Sequence, residues 1–436
     1  MFGIEGKKSI GLWSAISIGI GGMVGAGIFS IIGVAGQIAG NAVYISFIIA
    51  GIVALLSTYS YAKLGTKYPS AGGPVEFLVR GFGDGVLSGG FNILLWVGYV
   101  FALALYARAF GGYAKTFLPP ETPAIYMNLF ATAIIIIFTA VNFIGAKAVG
   151  RSELFIVLVK VVILILFAFA GFFFIKTPYL SLSQWPSSSS MLFGAALVFL
   201  AYEGFGLITN AAEDIENPGK NLPKALYMSV IAVIFIYVSV SIVVVGNLPI
   251  PEIIKAEDYA LAEAAKPFLG LLGFKLIAIA ALFSTSSAIN ATLYGGANVS
   301  YCIAKEGELP EIFERKIWGR GTEGLFITAG LVILFANLFE LDGIAMLGSA
   351  SFLLIYAAVN IAHLRLYKET GAKPYLIWAS IIGCLTSFAI LVYYEINNSP
   401  MTLIVLAIVL AFCFIAEWGY RKYSLRALKT RDVRII

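Results

Sequence analysis

The sequence predicts an all-α membrane protein with twelve transmembrane helices. Three observations carry this. The 436-residue chain is 60% hydrophobic and only 12% charged. Its mean hydropathy is +0.92. Its first apolar run, Ser9 to Ala62, contains no charged residue. A spanning helix needs ~20 mostly apolar residues. Twelve segments meet that length, centred near residues 25, 54, 100, 134, 164, 201, 235, 285, 332, 355, 384 and 412.

Span 1 holds Gly19, Gly21, Gly22, Gly25 and Gly27. Each glycine costs a helix ~1 kcal/mol relative to Ala. Broken backbone survives at membrane depth only where it lines a cavity or meets a ligand. This predicts a discontinuous helix whose freed backbone binds something small. A competing reading is close helix packing, because Gly21-x-x-x-Gly25 fits a small-xxx-small motif. No Gly-x-Gly-x-x-Gly is present in this cluster, and no strand precedes it.

Span 3 carries Tyr99, Tyr106 and Tyr113 at seven-residue spacing. That is a packing stripe, with Tyr106 placed to reach a cavity beside the broken helix. In span 5, Lys160 lies amid Leu154–Leu164, nine residues past Arg151. This is ~13 Å along a helix. An ionised Lys at such depth costs ~2.5–3.5 kcal/mol. Its amine either snorkels to the headgroups or faces the protein interior, where desolvation makes it a proton carrier.

Span 6 contains Ala201-Tyr202-Glu203-Gly204-Phe205-Gly206, a second glycine break with an acid beside it. Glu203 either holds the break together or faces a bound solute. Breaks in spans 1 and 6 are five spans apart. The two halves would therefore enter the membrane in opposite senses, as a 5+5 inverted repeat. The expected organisation is a ten-helix core over 1–366, with repeats near 10–177 and 190–366. Two further helices over 373–423 and a basic tail, 424–436, follow. The segment Pro251 to Pro267 is amphipathic and acidic, as a lid would be. In span 8, Ser284, Ser287 and Asn290 form a polar stripe. Arg108 and Glu417 lie near helix ends and are expected to snorkel, and His363 to sit at the interface.

Charge sets the orientation. With a cytoplasmic N-terminus, cytoplasmic segments carry 22 of the Lys and Arg residues and outer segments six, leaving Lys160. This asymmetry predicts both termini inside and an even number of spans; the expected membrane is the plasma membrane. Lys7 and Lys8 precede a run too long for a cleavable signal. The net charge of +5 follows from topology and predicts no nucleic-acid partner. The basic tail is expected to lie on anionic lipid. Cys302, Cys384 and Cys413 are too dispersed to predict a disulfide. With one histidine and no ligand cluster, neither a metal nor a cofactor is expected. Paired catalytic carboxylates and a nucleophile–base pair are also lacking, so the chain does not read as an enzyme.

The chain resembles the amino acid-polyamine-organocation (APC) superfamily, in particular proton-coupled prokaryotic members with a lysine in helix 5. The resemblance rests on Gly25-Ala26-Gly27-Ile28-Phe29, Tyr68-Pro69-Ser70-Ala71-Gly72-Gly73, Tyr202-Glu203-Gly204-Phe205 and the segment Glu213 to Ala225. The last, with Asn217-Pro218 and Pro223 at fixed offsets, is the most specific. It implies a LeuT-like fold and amino acid import by proton symport through alternating access. The substrate carboxylate would be held by the N–H groups of Gly25, Ala26 and Gly27. The amine would meet the carbonyls of Met23, Leu200 and Glu203. Tyr106, Tyr202 and Gly204 would complete the pocket, made roomy by Gly204 and Gly206. Lys160 would contact the Gly21 carbonyl and the Ser284 hydroxyl. The position two residues after Gly204, an acid in many members, is Gly206 here. Rival readings are an exchanger of cationic amino acids or polyamines, with Glu203 as counter-ion, and a non-transporting sensor of the same fold. The oligomeric state is left open by the sequence.

Overall fold

The computed structural model describes residues 10–25, 27–144, 149–306, 309, 311–317 and 322–423. Ala26, Lys7, Lys8 and the basic tail 424–436 lie outside the described residues. The regular structure of the described chain is helical. Its only β pairings there are two isolated bridges, Ile10 with Ile215 and Lys316 with Thr322. In lipid every backbone polar group must be satisfied internally, and helices do this segment by segment.

The first long stretch, Leu12–Lys67, is built of three helices. They are α1 (Leu12–Met23), α2 (Gly27–Ala39) and α3 (Val43–Lys67). A short 3-10 turn at Gly40–Ala42 joins α2 to α3, and Gly40 takes a positive φ of 50° there. That left-handed conformation suits glycine. A short helix, α4 (Pro74–Phe82), leads into α5 (Val86–Lys115), α6 (Ile125–Ile144) and α7 (Val149–Phe172).

The second half opens with α8 (Ser188–Val198), an eight-residue 3-10 segment at Phe199–Gly206, and the single turn α9 (Leu207–Asn210). Runs of 3-10 helix beyond three or four residues are uncommon and mark hinges or strain. The span-6 break is thus a tightened helix with i→i+3 bonding rather than an unwound coil. Next come α10 (Pro218–Asn247), α11 (Ile250–Ala256), α12 (Ala260–Glu263) and α13 (Lys266–Glu306). The last is kinked at Gly270, where φ is 62°. The chain ends in α14 (Glu323–Leu338), α15 (Leu341–Thr370), α16 (Pro374–Asn398) and α17 (Pro400–Tyr423).

Among the described residues, ten stretches are long and apolar enough to cross a membrane. Leu12–Lys67 counts as one of them, and α14, at 16 residues, falls just short. The chain is a multi-pass membrane protein. α5 and α15 are the innermost spans, whereas α6 and α17 turn most of their surface outward. Outward residues such as Ile136, Leu158 and Phe169 are exposed and apolar, as a lipid-facing wall requires.

Three expectations about charged and polar groups are corrected. Glu417 does not snorkel: it is fully buried and paired with Arg421, which also bonds Asp84 at 2.7 Å. His363 is buried rather than interfacial, its ring nitrogens each 2.9 Å from the hydroxyls of Ser60 and Thr370. The span-8 stripe splits: Ser284 faces the break in helix 1, while Asn290 accepts a bond from Asn142 of α6. Six residues at ~100° each carry Asn290 far round the helix from Ser284.

Candidate functional site

The candidate site is the crossing of the two broken helices. α1 ends at Met23, and Val24 caps it through a 2.8 Å bond to the Ile20 carbonyl. Gly19, Gly21 and Gly22 are therefore helical, and the interruption is confined to residues between Met23 and Gly27. The helical glycines instead permit close packing. A methyl on Gly19 would meet the Ser229 hydroxyl at 2.7 Å, and one on Gly22 would meet Leu207 at 2.8 Å. Gly25 lies directly against Ala288 of α13. The packing reading and the broken-helix reading thus both describe the cluster, at different residues.

Gly204 presses on the backbone of the first break. A methyl there would stand 2.5 Å from the Met23 nitrogen and 2.8 Å from the Gly22 Cα. The expected roomy pocket at Gly204 is therefore absent, because the backbone of α1 fills the space that a side chain would take. At Gly206 the nearest atoms are at 3.5 Å, from Tyr356 and Tyr61.

Lys160 projects from α7 into this crossing. Its side chain is buried, and its Nζ donates to the Gly21 carbonyl at 3.0 Å. From α13, the Ser284 hydroxyl donates to the Val24 carbonyl at 2.8 Å and the Gly25 carbonyl at 2.6 Å. So α7 and α13 each supply a donor to the carbonyls at the end of α1. These are carbonyls that a helix C-terminus leaves without intrahelical partners.

Tyrosines supply the other donors, and the sequence reading missed two of them. The Tyr237 hydroxyl of α10 lies 2.5 Å from the Met23 carbonyl and 3.1 Å from the Ala201 carbonyl, tying the two breaks together. The Tyr356 hydroxyl of α15 donates to the Glu203 carbonyl at 2.6 Å. Neither tyrosine carries a sequence signal, since each is one aromatic in a long apolar helix. Two of the three carbonyls expected to face an amine, Met23 and Glu203, thus already accept tyrosine protons. Each carbonyl keeps a second lone pair.

The Glu203 side chain is 2% exposed. Its Oε1 accepts the Tyr106 hydroxyl at 3.1 Å, and its Oε2 is buried without a hydrogen-bond partner among the described residues. Tyr113 donates to the Phe29 carbonyl of α2 at 3.0 Å. Tyr202 turns to α3, donating to the Phe47 carbonyl at 2.9 Å. The Leu200 side chain packs against Gly348 of α15.

The arrangement offers complementary electrostatics. The first turn of α2 leaves N–H groups without intrahelical partners, and its dipole favours an anion there. The 3-10 carbonyls and the free Glu203 oxygen favour a cation close by. Further along α2, the Pro251 to Pro267 segment folds as α11, a 3-10 turn and α12. A methyl on Gly33 of α2 would collide with the Glu257 carbonyl, and one on Gly36 would stand 2.9 Å from Ile253. The three cysteines are free thiols.

The family described as amino acid permease matches residues 10–416. An uncharacterized protein of Methanocaldococcus jannaschii is 52% identical over 393 residues, covering 89% of this chain and 90% of the relative. The inner membrane transport protein YbaT of Escherichia coli is 37% identical, covering 88% and 90%. The branched-chain amino acid permease BcaP of Bacillus subtilis is 25% identical, covering 84% and 83%. The chain belongs to the amino acid permease family and is a transporter of the APC superfamily.

Proposed function

We propose that the protein imports amino acids by proton symport through alternating access, with Lys160 as the proton carrier. The observation that carries this is the contact between the Lys160 ammonium and the Gly21 carbonyl, 3.0 Å apart at the edge of the first break. A protonated amine is a donor to that carbonyl. A neutral amine binds it more weakly, so proton loss loosens α1 from α7. Coupling requires that the two states of the transporter hold the proton with different affinity.

In this reading the substrate carboxylate docks on the N–H groups of Gly25, Ala26 and Gly27, and its amine meets the Met23, Leu200 and Glu203 carbonyls. Because Tyr237 and Tyr356 occupy two of those carbonyls, the amine either takes the second lone pair or displaces a tyrosine. Gly21 and Ser284 hold the end of α1 in register with Lys160. Twelve spans follow if Leu12–Lys67 is divided at Gly40 and α14 is counted as a span. The same reading makes the two breaks the first helices of a 5+5 inverted repeat of LeuT type, over about 10–177 and 190–366. The 22-to-6 distribution of basic residues supports both termini in the cytoplasm, and the membrane in this reading is the plasma membrane.

One observation favours a second reading, exchange of cationic amino acids or polyamines. The unpartnered Glu203 Oε2 is an acceptor that a substrate ammonium would satisfy. Uptake of radiolabelled alanine and arginine into proteoliposomes, with and without an inward pH gradient, separates the readings. Gradient-driven accumulation of alanine supports symport. Arginine uptake that needs internal arginine and ignores the gradient supports exchange.

A further inference from the structure

A cavity of about 170 Å³ lies between the ends of α2, α8, α15, α16 and α17, apart from the crossing of the broken helices. Its lining joins three aliphatic side chains, Val34, Ile38 and Leu197, to two carboxylates, Asp342 and Glu395, and to the polar side chains of Gln37, Asn398, Ser399 and Thr402. No basic side chain lines it. Glu395 is only 6% exposed. Among the described residues its carboxylate makes no hydrogen bond and no ion pair.

This sets Glu395 apart from the other buried acids. Glu76 pairs with Arg80 at 2.7 Å, Glu417 with Arg421, and Glu203 accepts from Tyr106. A buried carboxylate without a donor or a counter-charge is costly, and the cost is relieved by a cation. The companion acid does not help: Asp342 carries the same charge, and its Oδ1 accepts the Gly343 N–H at 2.6 Å.

The chemistry of the lining selects the cation. Hard divalent ions take six or more oxygen ligands, commonly several carboxylates, and no group of three or more His, Cys, Asp and Glu side chains that could hold a metal occurs among the described residues. Drug-sized ligands need ~300–1,000 Å³. This cavity, at ~30 Å³ per water, has room for only a few waters or one small organic ion. The aliphatic patch of Val34, Ile38 and Leu197 beside two carboxylates suits a charged head with a short apolar tail.

We propose that this cavity binds a small primary alkylammonium ion, its head on Glu395 and Asp342 and its tail on Val34, Ile38 and Leu197. The site is independent of the transport reading, and its test needs no transport.

The full-length protein in lipid nanodiscs is heated with increasing propylammonium chloride. Sodium chloride and choline chloride at matched ionic strength are the controls. A ligand that binds only the folded state raises the unfolding midpoint with concentration. The midpoint is expected to rise saturably with propylammonium and stay flat with sodium and with choline, which has no N–H to donate. Glu395→Gln should weaken the response about tenfold, as loss of a buried charge-assisted partner does. Asp342→Asn, at an exposed position, should weaken it several-fold and keeps the test open if the first variant misfolds. A Glu203→Gln variant should respond as the native protein does. Equal shifts from choline and propylammonium would overturn the proposal. So would a response that survives Glu395→Gln but is lost in Glu203→Gln, which would place the amine at the helix crossing.

Discussion

Gly204 and Gly22 meet backbone to backbone, with room for a methyl group on neither. Built onto Gly204, a Cβ stands 2.8 Å from the Gly22 Cα; built onto Gly22, it stands 3.2 Å from the Gly204 Cα. Overpacking a rigid contact of this kind costs ~1–3 kcal/mol, and here only backbone is available to move. Gly204→Ala is therefore expected to lower the unfolding midpoint of the purified protein and to reduce uptake by more than tenfold. Gly206→Ala, whose methyl meets nothing closer than 3.5 Å, should leave both nearly unchanged. Equal effects at the two positions would show that the crossing is not the sensitive contact.

Removing the Lys160 amine should uncouple transport without unfolding the protein. Lys160→Ala takes a charged donor from the Gly21 carbonyl, a loss of ~1.5–3 kcal/mol. It also relieves the burial of a charge, so stability should change little. Gradient-driven uptake should vanish, while exchange of labelled for unlabelled amino acid across proteoliposomes should persist. Retained accumulation under a pH gradient would remove Lys160 from the coupling step.

The sequence pointed to the right segments but not to their detailed conformation. A glycine cluster in a charge-free run locates a break, because glycine weakens helices wherever it falls. It does not say which glycines remain helical. Gly19 and Gly22 do, and they are glycines there because Ser229, Leu207 and Gly204 come close enough to exclude any side chain. Lys160 was legible because a lone charge amid aliphatic residues is costly anywhere but in a purposeful position. Tyr237 and Tyr356 were not. Their hydroxyls matter only through which carbonyls the tertiary fold brings to them, and neither helix carries a periodicity that encodes this. Glu417 and His363 were misplaced for a related reason: their partners Arg421, Ser60 and Thr370 satisfy them inside the protein, so neither needs to reach the membrane surface.

Tyr237 holds the two breaks through a single proton. Its hydroxyl has one O–H and two carbonyls, Met23 and Ala201, within reach. Tyr237→Phe leaves both carbonyls without that donor in a buried setting, at ~1–3 kcal/mol. The expected result is a midpoint lowered by several degrees and a raised KM for substrate, with the pH dependence of uptake preserved because Lys160 is untouched. A pH profile displaced along with KM would instead tie this hydroxyl to proton movement.

The turn Glu257–Asp258, outside the spanning stretches, should make the covering segment tighten in acid. Burial raises the Glu257 carboxyl to about 7, and the like charges of Asp258, Asp342 and Glu340 add to this against the opposing pull of Arg108. Burial raises Asp258 in the same sense, with Arg108 and Lys115 opposing. In the unfolded or lifted segment such a group titrates near 4.5. The seated segment therefore holds the proton more tightly. Its stabilisation is complete below about pH 4.5 and is lost as pH rises through about 7. Glu257 is partly exposed, so solvent screening limits the effect to the order of 1 kcal/mol. A cysteine placed at Ile253, which packs on Gly36, should react with a membrane-impermeant maleimide several-fold faster at pH 8 than at pH 5.5, after correction for thiolate fraction. Glu257→Gln should hold the rate at its acid value throughout. A corrected rate that does not change with pH in the native background would mean that the charge on this turn does not govern how firmly it sits.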